Sequence, residues 1–272
     1  DELRRVLDQN RELTYAQLDA EDLGDFVDAA RFSLSWHSQS EERDRIRADG
    51  RRDIQGFEVD TLGVWAQFES PTDLGLWTYG VEYYRDDVDS YRRDFDAAGD
   101  LTAVRIQGPV ADDAAYDLLG VYVQNDIPVS EALDLILGAR FTWAQADADR
   151  VQDPETGDVI SIEEDFSSLV GSARFLYRVD EDNHWHLFGG VSQGFRAPNL
   201  SDLTRLDTAR SDEIETPSPG LDPEEFIAYE IGLKTRYDNL SAQAAYYYTD
   251  IDDMIIRQPT GDIVESANEV TK

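Results

Sequence analysis

Alternation of apolar and polar residues is the dominant pattern along the chain. From residue 133 the odd positions read Leu133, Leu135, Leu137, Ala139, Phe141 and Trp143. The even positions between them read Asp134, Ile136, Gly138, Arg140 and Thr142. Period two with one apolar face specifies a strand wetted on one side. The pattern returns at Ile227, Tyr229, Ile231 and Leu233, and again at Leu240, Ala242, Ala244, Tyr246 and Tyr248. Shorter versions occupy residues 32–36, 62–68, 77–83, 119–123, 169–177 and 185–191. Helical spacing is confined to one candidate stretch, residues 3–13. The chain therefore reads as all-β and antiparallel, with about ten or eleven strands.

The connections carry a second rhythm. Short turns fall at residues 70–74, 126–131, 180–183 and 237–239. Between them lie long polar connections at 86–113, 145–165 and 196–224 and a moderate one at 40–56. A β-sandwich has no reason to keep such an order. An up-and-down transmembrane β-barrel does, with tight turns on the periplasmic side and long loops outside. Strands of about ten residues would suffice to cross the bilayer. Trp77 and Trp185 follow short turns, while Trp143 and Tyr248 precede long loops, where interfacial aromatic girdles belong. No stretch approaches the roughly 18 apolar residues of a membrane-spanning helix. A mean hydropathy of −0.52 does not oppose the barrel, because alternating strands average out to weakly polar.

Composition removes other classes. The chain has 24 basic and 58 acidic residues, a formal charge of −34, and such a field repels phosphate backbones, so no nucleic-acid partner is expected. With 41% hydrophobic residues it is too apolar for a disordered acidic tail. The absence of cysteine excludes disulfides, thiol nucleophiles and Cys-based metal sites. His37, His184 and His186 are the only histidines. No nucleophile elbow, phosphate-cradling glycine loop or HExxH motif occurs, so an enzyme is not expected, and neither is a cofactor.

The string Gly194-Phe195-Arg196-Ala197-Pro198-Asn199-Leu200-Ser201-Asp202-Leu203 resembles the "FRAP" box of TonB-dependent outer-membrane receptors. Ser218-Pro219-Gly220-Leu221-Asp222-Pro223-Glu224-Glu225, followed by Tyr229-Glu230-Ile231-Gly232-Leu233-Lys234, is similar to that family's "NP-L-PE…YE-GLK" stretch. Residues 120–126 with 133–141, and residues 245–256, resemble its paired strands. The motif residues are thus Phe195, Arg196, Ala197, Pro198, Asn199, Leu200, Pro219, Leu221, Pro223 and Glu224. The resemblance is strong from about residue 116 to 272 and extends back to about residue 15. It implies a barrel of about 22 strands around a plug domain in the Gram-negative outer membrane, importing a scarce nutrient with energy from the TonB complex. Residues 1–272 would then be an open part of such a barrel, without the plug or the C-terminal strands. The expected partners are outer-membrane lipid, the TonB complex through the plug, and a small metal chelate as cargo, most readily a ferric siderophore.

Three kinds of chemistry are open to these residues. Haem receptors of the family place a ligating His between the two boxes, but residues 199–217 contain none; His37, near the loop end of its strand, is the remaining candidate. Asp147, Asp149, Asp153, Asp158 and Glu163 crowd one connection and could hold a cation, or form a solvated, salt-adapted surface. Arg196, Arg205, Arg210, Arg92 and Arg93 could bind an anionic cargo, or pair with acidic neighbours such as Asp202 and Asp207. Arg140, Arg174, Arg178, Glu230, Lys234 and Arg236 alternate with apolar residues and should face a plug inside the lumen, since positive charge at mid-depth on the lipid face is prohibitive. A secreted acidic β-domain that binds or hydrolyses carbohydrate is the alternative class.

Overall fold

In the computed structural model, which describes residues 2–208, 213–257 and 269–271, the chain runs back and forth through one antiparallel meander. Its strands are β1 (Glu2–Ala20), β2 (Ala29–Arg47), β3 (Arg52–Thr72), β4 (Gly75–Phe95), β5 (Leu101–Val104), β6 (Asp112–Ser130), β7 (Leu133–Gln152), β8 (Val159–Arg178) and β9 (Trp185–Arg196). A five-residue helix α1 (Leu200–Thr204) follows. Then come β10 (Asp207–Thr208), β11 (Glu213–Glu215), β12 (Glu224–Arg236), β13 (Ser241–Asp252) and β14 (Glu269–Thr271). The large sheet has eleven strands in the order β1-β2-β3-β4-β6-β7-β8-β9-β12-β13, with β5 added to β4. Among the described residues the sheet stays open, with β1 and β13 as its edges. Strands β10, β11 and β14 form a separate small sheet.

The sequence pattern and the structure part company in two places. Residues 3–13 are not helical; they belong to β1 and pair along their length with β2, from Leu13↔His37 to Arg4↔Ile46. The long ladder satisfies their backbone groups, so tertiary pairing overrides the local spacing of apolar residues. The long polar connections are also mostly strand. Strands β2 and β3 are joined by residues 48–51 alone, β7 and β8 by 153–158, and β4 continues to Phe95. Strands β1–β4 and β6–β8 are 19–21 residues long, about twice the length expected. In their distal halves the outer face turns acidic while the inner face mixes small apolar side chains with charged pairs, so the simple alternation fades there while the hydrogen-bonded ladder continues.

At the opposite end the turns are short. Residues 73–74 and 131–132 close two hairpins, and 237–240 a third. Gly75 (φ +124°) is required at the first of these, because a Cβ there would sit 2.1 Å from the Asp126 carbonyl oxygen.

The register lines up one apolar face. Phe32, Ala66, Val81, Val121, Phe141 and Leu169 stand side by side across six strands. The next row carries Phe68, Tyr79, Val123 and Ala139. Phe32 meets Phe68 edge-on at 5.7 Å, and Phe68 stacks on Tyr79 at 5.6 Å. Among the described residues no second layer covers these side chains, and Leu169 is 73% exposed. A belt of Tyr83, Leu119 and Trp143 tops the band. Beyond it the same face becomes an acidic collar in which like charges sit directly opposite: Asp60↔Asp87, Glu58↔Asp89 and Asp147↔Glu163.

The buried core lies on the other face, at the far end from the short turns. Val88, Ala114, Ala146, Ala148, Ile162 and Phe166 from β4, β6, β7 and β8 pack with Leu200 and Leu203 of α1. The hydrophobic centre is thus a cap folded onto the inner wall, not a layer between two stacked sheets.

Candidate functional site

Two segments fold inward to make the cap. Residues 105–111 lie flat on β3 and β4: a Cβ on Gly108 would come within 2.6 Å of the Tyr91 carbonyl oxygen and 2.8 Å of that of Gly56. The Gly108 N–H donates to Ser90 Oγ (2.8 Å), and that hydroxyl donates to the Val110 carbonyl (2.6 Å). The second segment is the FRAP-like string with α1. It locks to the first through Thr204, whose Oγ1 accepts the Ala111 N–H (2.9 Å) and whose carbonyl accepts Gln107 Nε2 (2.9 Å). Gln107 Oε1 in turn accepts the Gln152 N–H (2.7 Å). Leu203, Gln107 and Thr204 are fully buried.

The two family-like boxes meet in space. Strand pairing sets Glu224 opposite Arg196. Arg196 donates to Glu224 Oε2 (2.6 Å) and Asp202 Oδ2 (2.8 Å). Asn199 caps α1, accepting the Asp202 N–H at 2.9 Å while Asp202 accepts the Asn199 N–H at 3.1 Å. Pro198 is buried, and its carbonyl accepts Tyr116 Oη–H (3.2 Å). Phe195, Ala197 and Leu221 pack against the core, Leu200 is part of it, Pro223 is half-buried and Pro219 is exposed. Most of these residues build the cap, and Arg196 is held by two carboxylates.

Beside the cap runs a buried chain of ion pairs. Arg43 on β2 makes a bidentate contact with Asp207, both bonds 3.0 Å, and reaches Asp53 at 3.3 Å. Asp53 also accepts from Arg45 Nε (2.9 Å) and lies 3.5 Å from Arg47. Arg205 pairs with Glu215, which also takes Arg257 at 2.5 Å. Burial alone would lower the pKa of Arg43, but Asp207 and Asp53 outweigh it and hold the guanidinium above its ordinary value. This network ties the segment after α1 to the β2–β3 wall. It is the part the sequence reading missed, although Glu42, Arg43, Asp44, Arg45 and Arg47 carry a period-two charge pattern that marks a strand.

The remaining candidate residues do not join one site. Arg92 pairs with Asp94 (2.9 Å), and Arg93 lies over the Tyr91 ring at 5.6 Å. Asp94, half-buried beyond the apolar band, would be pushed up by desolvation, but Arg92 and Arg105 hold its carboxyl below the usual range. Arg210 lies outside the described residues. His37 Nε2 accepts from Arg11 Nε (2.8 Å) on the inner face. His184 is at the short-turn end, 3.2 Å from Asp180 and stacked on Tyr237.

On the inner wall Arg140 pairs with Glu82. Arg174 donates to Gln124 (3.2 Å) and Arg178 to Asp134 (2.5 Å). Glu230, Lys234 and Arg236 are exposed on β12. The acidic residues of the β7–β8 tip do not converge: Asp147 and Glu163 face each other across the ladder, Asp149 sits in a register shift, and Asp153 caps its turn by accepting the Glu155 and Thr156 N–H groups (2.8 and 3.0 Å). The Asp158 N–H donates to Thr156 Oγ1 at 3.2 Å. Among the described residues, the one grouping of three metal-capable side chains is Asp180, Asp182 and His184, at the other end.

Solved structures share this architecture. The copper transporter OprC aligns with a TM-score of 0.77 at 16% identity, over 98% of this chain and 42% of its own. The hemophore receptor HasR of Serratia marcescens, solved as a double mutant with its hemophore and heme, gives 0.74 at 17% identity over 97% and 43%. The ferric citrate transporter FecA gives 0.67 at 13% identity over 95% and 37%. The chain therefore spans about two fifths of these proteins' length. The family model for the TonB dependent receptor-like beta-barrel matches residues 3–271, and the chain belongs to that family.

Proposed function

We propose that residues 1–272 are wall and mouth of an outer-membrane active-transport receptor, whose further strands and plug belong to the rest of the protein. The observation that carries this reading is the pairing of an uncovered apolar band on one face with a buried cap on the other. The band suits lipid as solvent. The cap occupies the extracellular end of the lumen, where cargo must pass. Transport energy comes from the TonB complex through the plug, and the chain performs no covalent chemistry.

The cargo is a scarce nutrient, and a ferric siderophore is the preferred class; copper, heme and ferric citrate are named for the aligned structures. Heme bound through a histidine has no support in the site, because Arg11 already occupies His37 Nε2. The test is growth of a receptor-deletion strain on a panel of iron sources, complemented with the full-length gene. Loss and rescue of growth on one ferric chelate, dependent on TonB, is the expected result. Unchanged growth on every chelate would remove the iron assignment.

A further inference from the structure

Between the wall and the cap lies a cavity of about 200 Å³ lined by Arg5, Leu7, Glu41, Arg43, Gln55 and Phe57, and closed by Pro109, Arg205 and Asp207. The strand residues among these side chains alternate on the inner face of β1, β2 and β3, beyond the level of the apolar band. Its polar lining is incompletely matched. Among the described residues, buried Arg5 Nε and Arg43 Nε have no acceptor, and Gln55, 3% exposed, has an Oε1 with no donor. Arg45, two residues along β2 and 4% exposed, leaves Nη2 unmatched as well. The two carboxylates of the lining are already engaged: Glu41 accepts from Gln9, and Asp207 from Arg43. Buried polar atoms are rarely left unpaired, because each forfeits its hydrogen bonds with water. Arg5 Nη2 pairs with Glu2 (3.0 Å) and Arg43 with Asp207, so what the cavity offers is two guanidinium N–H groups open to an acceptor and one amide oxygen open to a donor.

We propose that this cavity binds an α-hydroxycarboxylate group. A carboxylate would accept from Arg5 Nε and Arg43 Nε, and the neighbouring hydroxyl would donate to Gln55 Oε1. A site of this volume is smaller than the 300–1,000 Å³ typical of whole small-molecule sites, so it reads one arm of a larger oxygen-rich cargo. This rests on the receptor reading, since the cavity lies between the cap and the wall that form the proposed mouth. It adds to that reading a chemical class and the residues that select it.

The test uses the full-length receptor in detergent, titrated calorimetrically with malate and with succinate, which differ by one hydroxyl. Malate is expected to bind several-fold more tightly than succinate, as one hydrogen bond to a buried acceptor predicts. Gln55→Leu should erase that difference while leaving succinate binding in place. Arg5→Gln should weaken both by about tenfold, the scale of a lost charge-assisted bond. Equal affinities for the two acids in the wild-type receptor, or no binding of either, would overturn the proposal, leaving an ordinary water-filled cavity. The parent comparison needs no variant, so misfolding of Arg5→Gln does not protect it. A receptor that imports its chelate yet ignores malate refutes the cavity inference alone; one that supports no TonB-dependent growth refutes the underlying reading.

Discussion

The membrane-level wall and the cap above it are built from the same strands by opposite rules. In the wall, each residue's direction follows from its neighbour two positions away, and the apolar row from Phe32 to Leu169 needs only ladder register to assemble. In the cap, stability depends on partners far apart in sequence: Arg43 with Asp207, and Gln107 with Thr204. A periodic element can be recognised from a dozen residues. A buried pair separated by more than 150 residues has no local signature. The wall is also redundant, since many similar side chains share one duty, whereas the cap concentrates its energy in a few contacts.

Three measurements on the full-length receptor would break or sharpen this contrast. The largest effect is expected at Arg43→Met, which removes the bidentate partner of buried Asp207 and one of the partners of Asp53; removing one partner of a buried pair costs about 3–5 kcal/mol. Hydrogen exchange should show residues 105–111 and 197–206 opening, with β6 and β7 below the belt unchanged. Collapse of the whole barrel instead would mean the two regions fold as one unit.

Next is Val123→Arg at the centre of the apolar band, expected to cost about 2–4 kcal/mol as a charge facing lipid at mid-depth. Heat-modifiability on gels should fall while the cap's exchange protection persists in the folded fraction. A neutral result would mean that this face is not solvated by hydrocarbon.

The smallest effect concerns acid. Asp44, Asp94 and Asp153 all sit in the distal extensions, and each is held below its ordinary pKa: Asp44 by Arg52, Asp94 by Arg92 and Arg105 against its burial, and Asp153 by the N–H groups of Thr156 and Glu155. A depressed folded-state pKa contributes stability that is complete above the unfolded value near 4 and is lost as pH falls through the folded value. Exchange corrected for its intrinsic rate should therefore rise at the hairpin tips as pH falls below about 4, before the wall responds. Equal loosening of tips and wall would refute the assignment.

The same contrast explains what could be read beforehand. Alternation at 133–143 and 227–233 located strands and their apolar face because there the two parities are chemically distinct. Within residues 40–56 and 145–165 the outer parity is acidic and the inner one mixes Ala146, Ala148 and Ile162 with buried Arg43, Asp53 and Gln55, so the apolar–polar contrast is lost and strands read as loops. The resemblance at Arg196 and Glu224 marked two boxes, but that they pair came only from register. Arg5, Arg43 and Gln55 were passed over, and Asp207 was read only as a neighbour of the loop arginines, because each looks like an ordinary surface residue until residues 197–207 fold inward against β2 and β3.

The acidic collar has an electrical consequence. Its like-charged pairs point away from the inner wall, while the arginines of β2 point into it. A charged solute at the rim therefore meets different conditions on the two sides of a single sheet: like-charged carboxylates along the flank, guanidinium groups within. Dissolved salt weakens the flank field over roughly 8–10 Å but reaches the buried arginines far less, so the collar is the part of the mouth whose influence on an approaching anion changes with the medium.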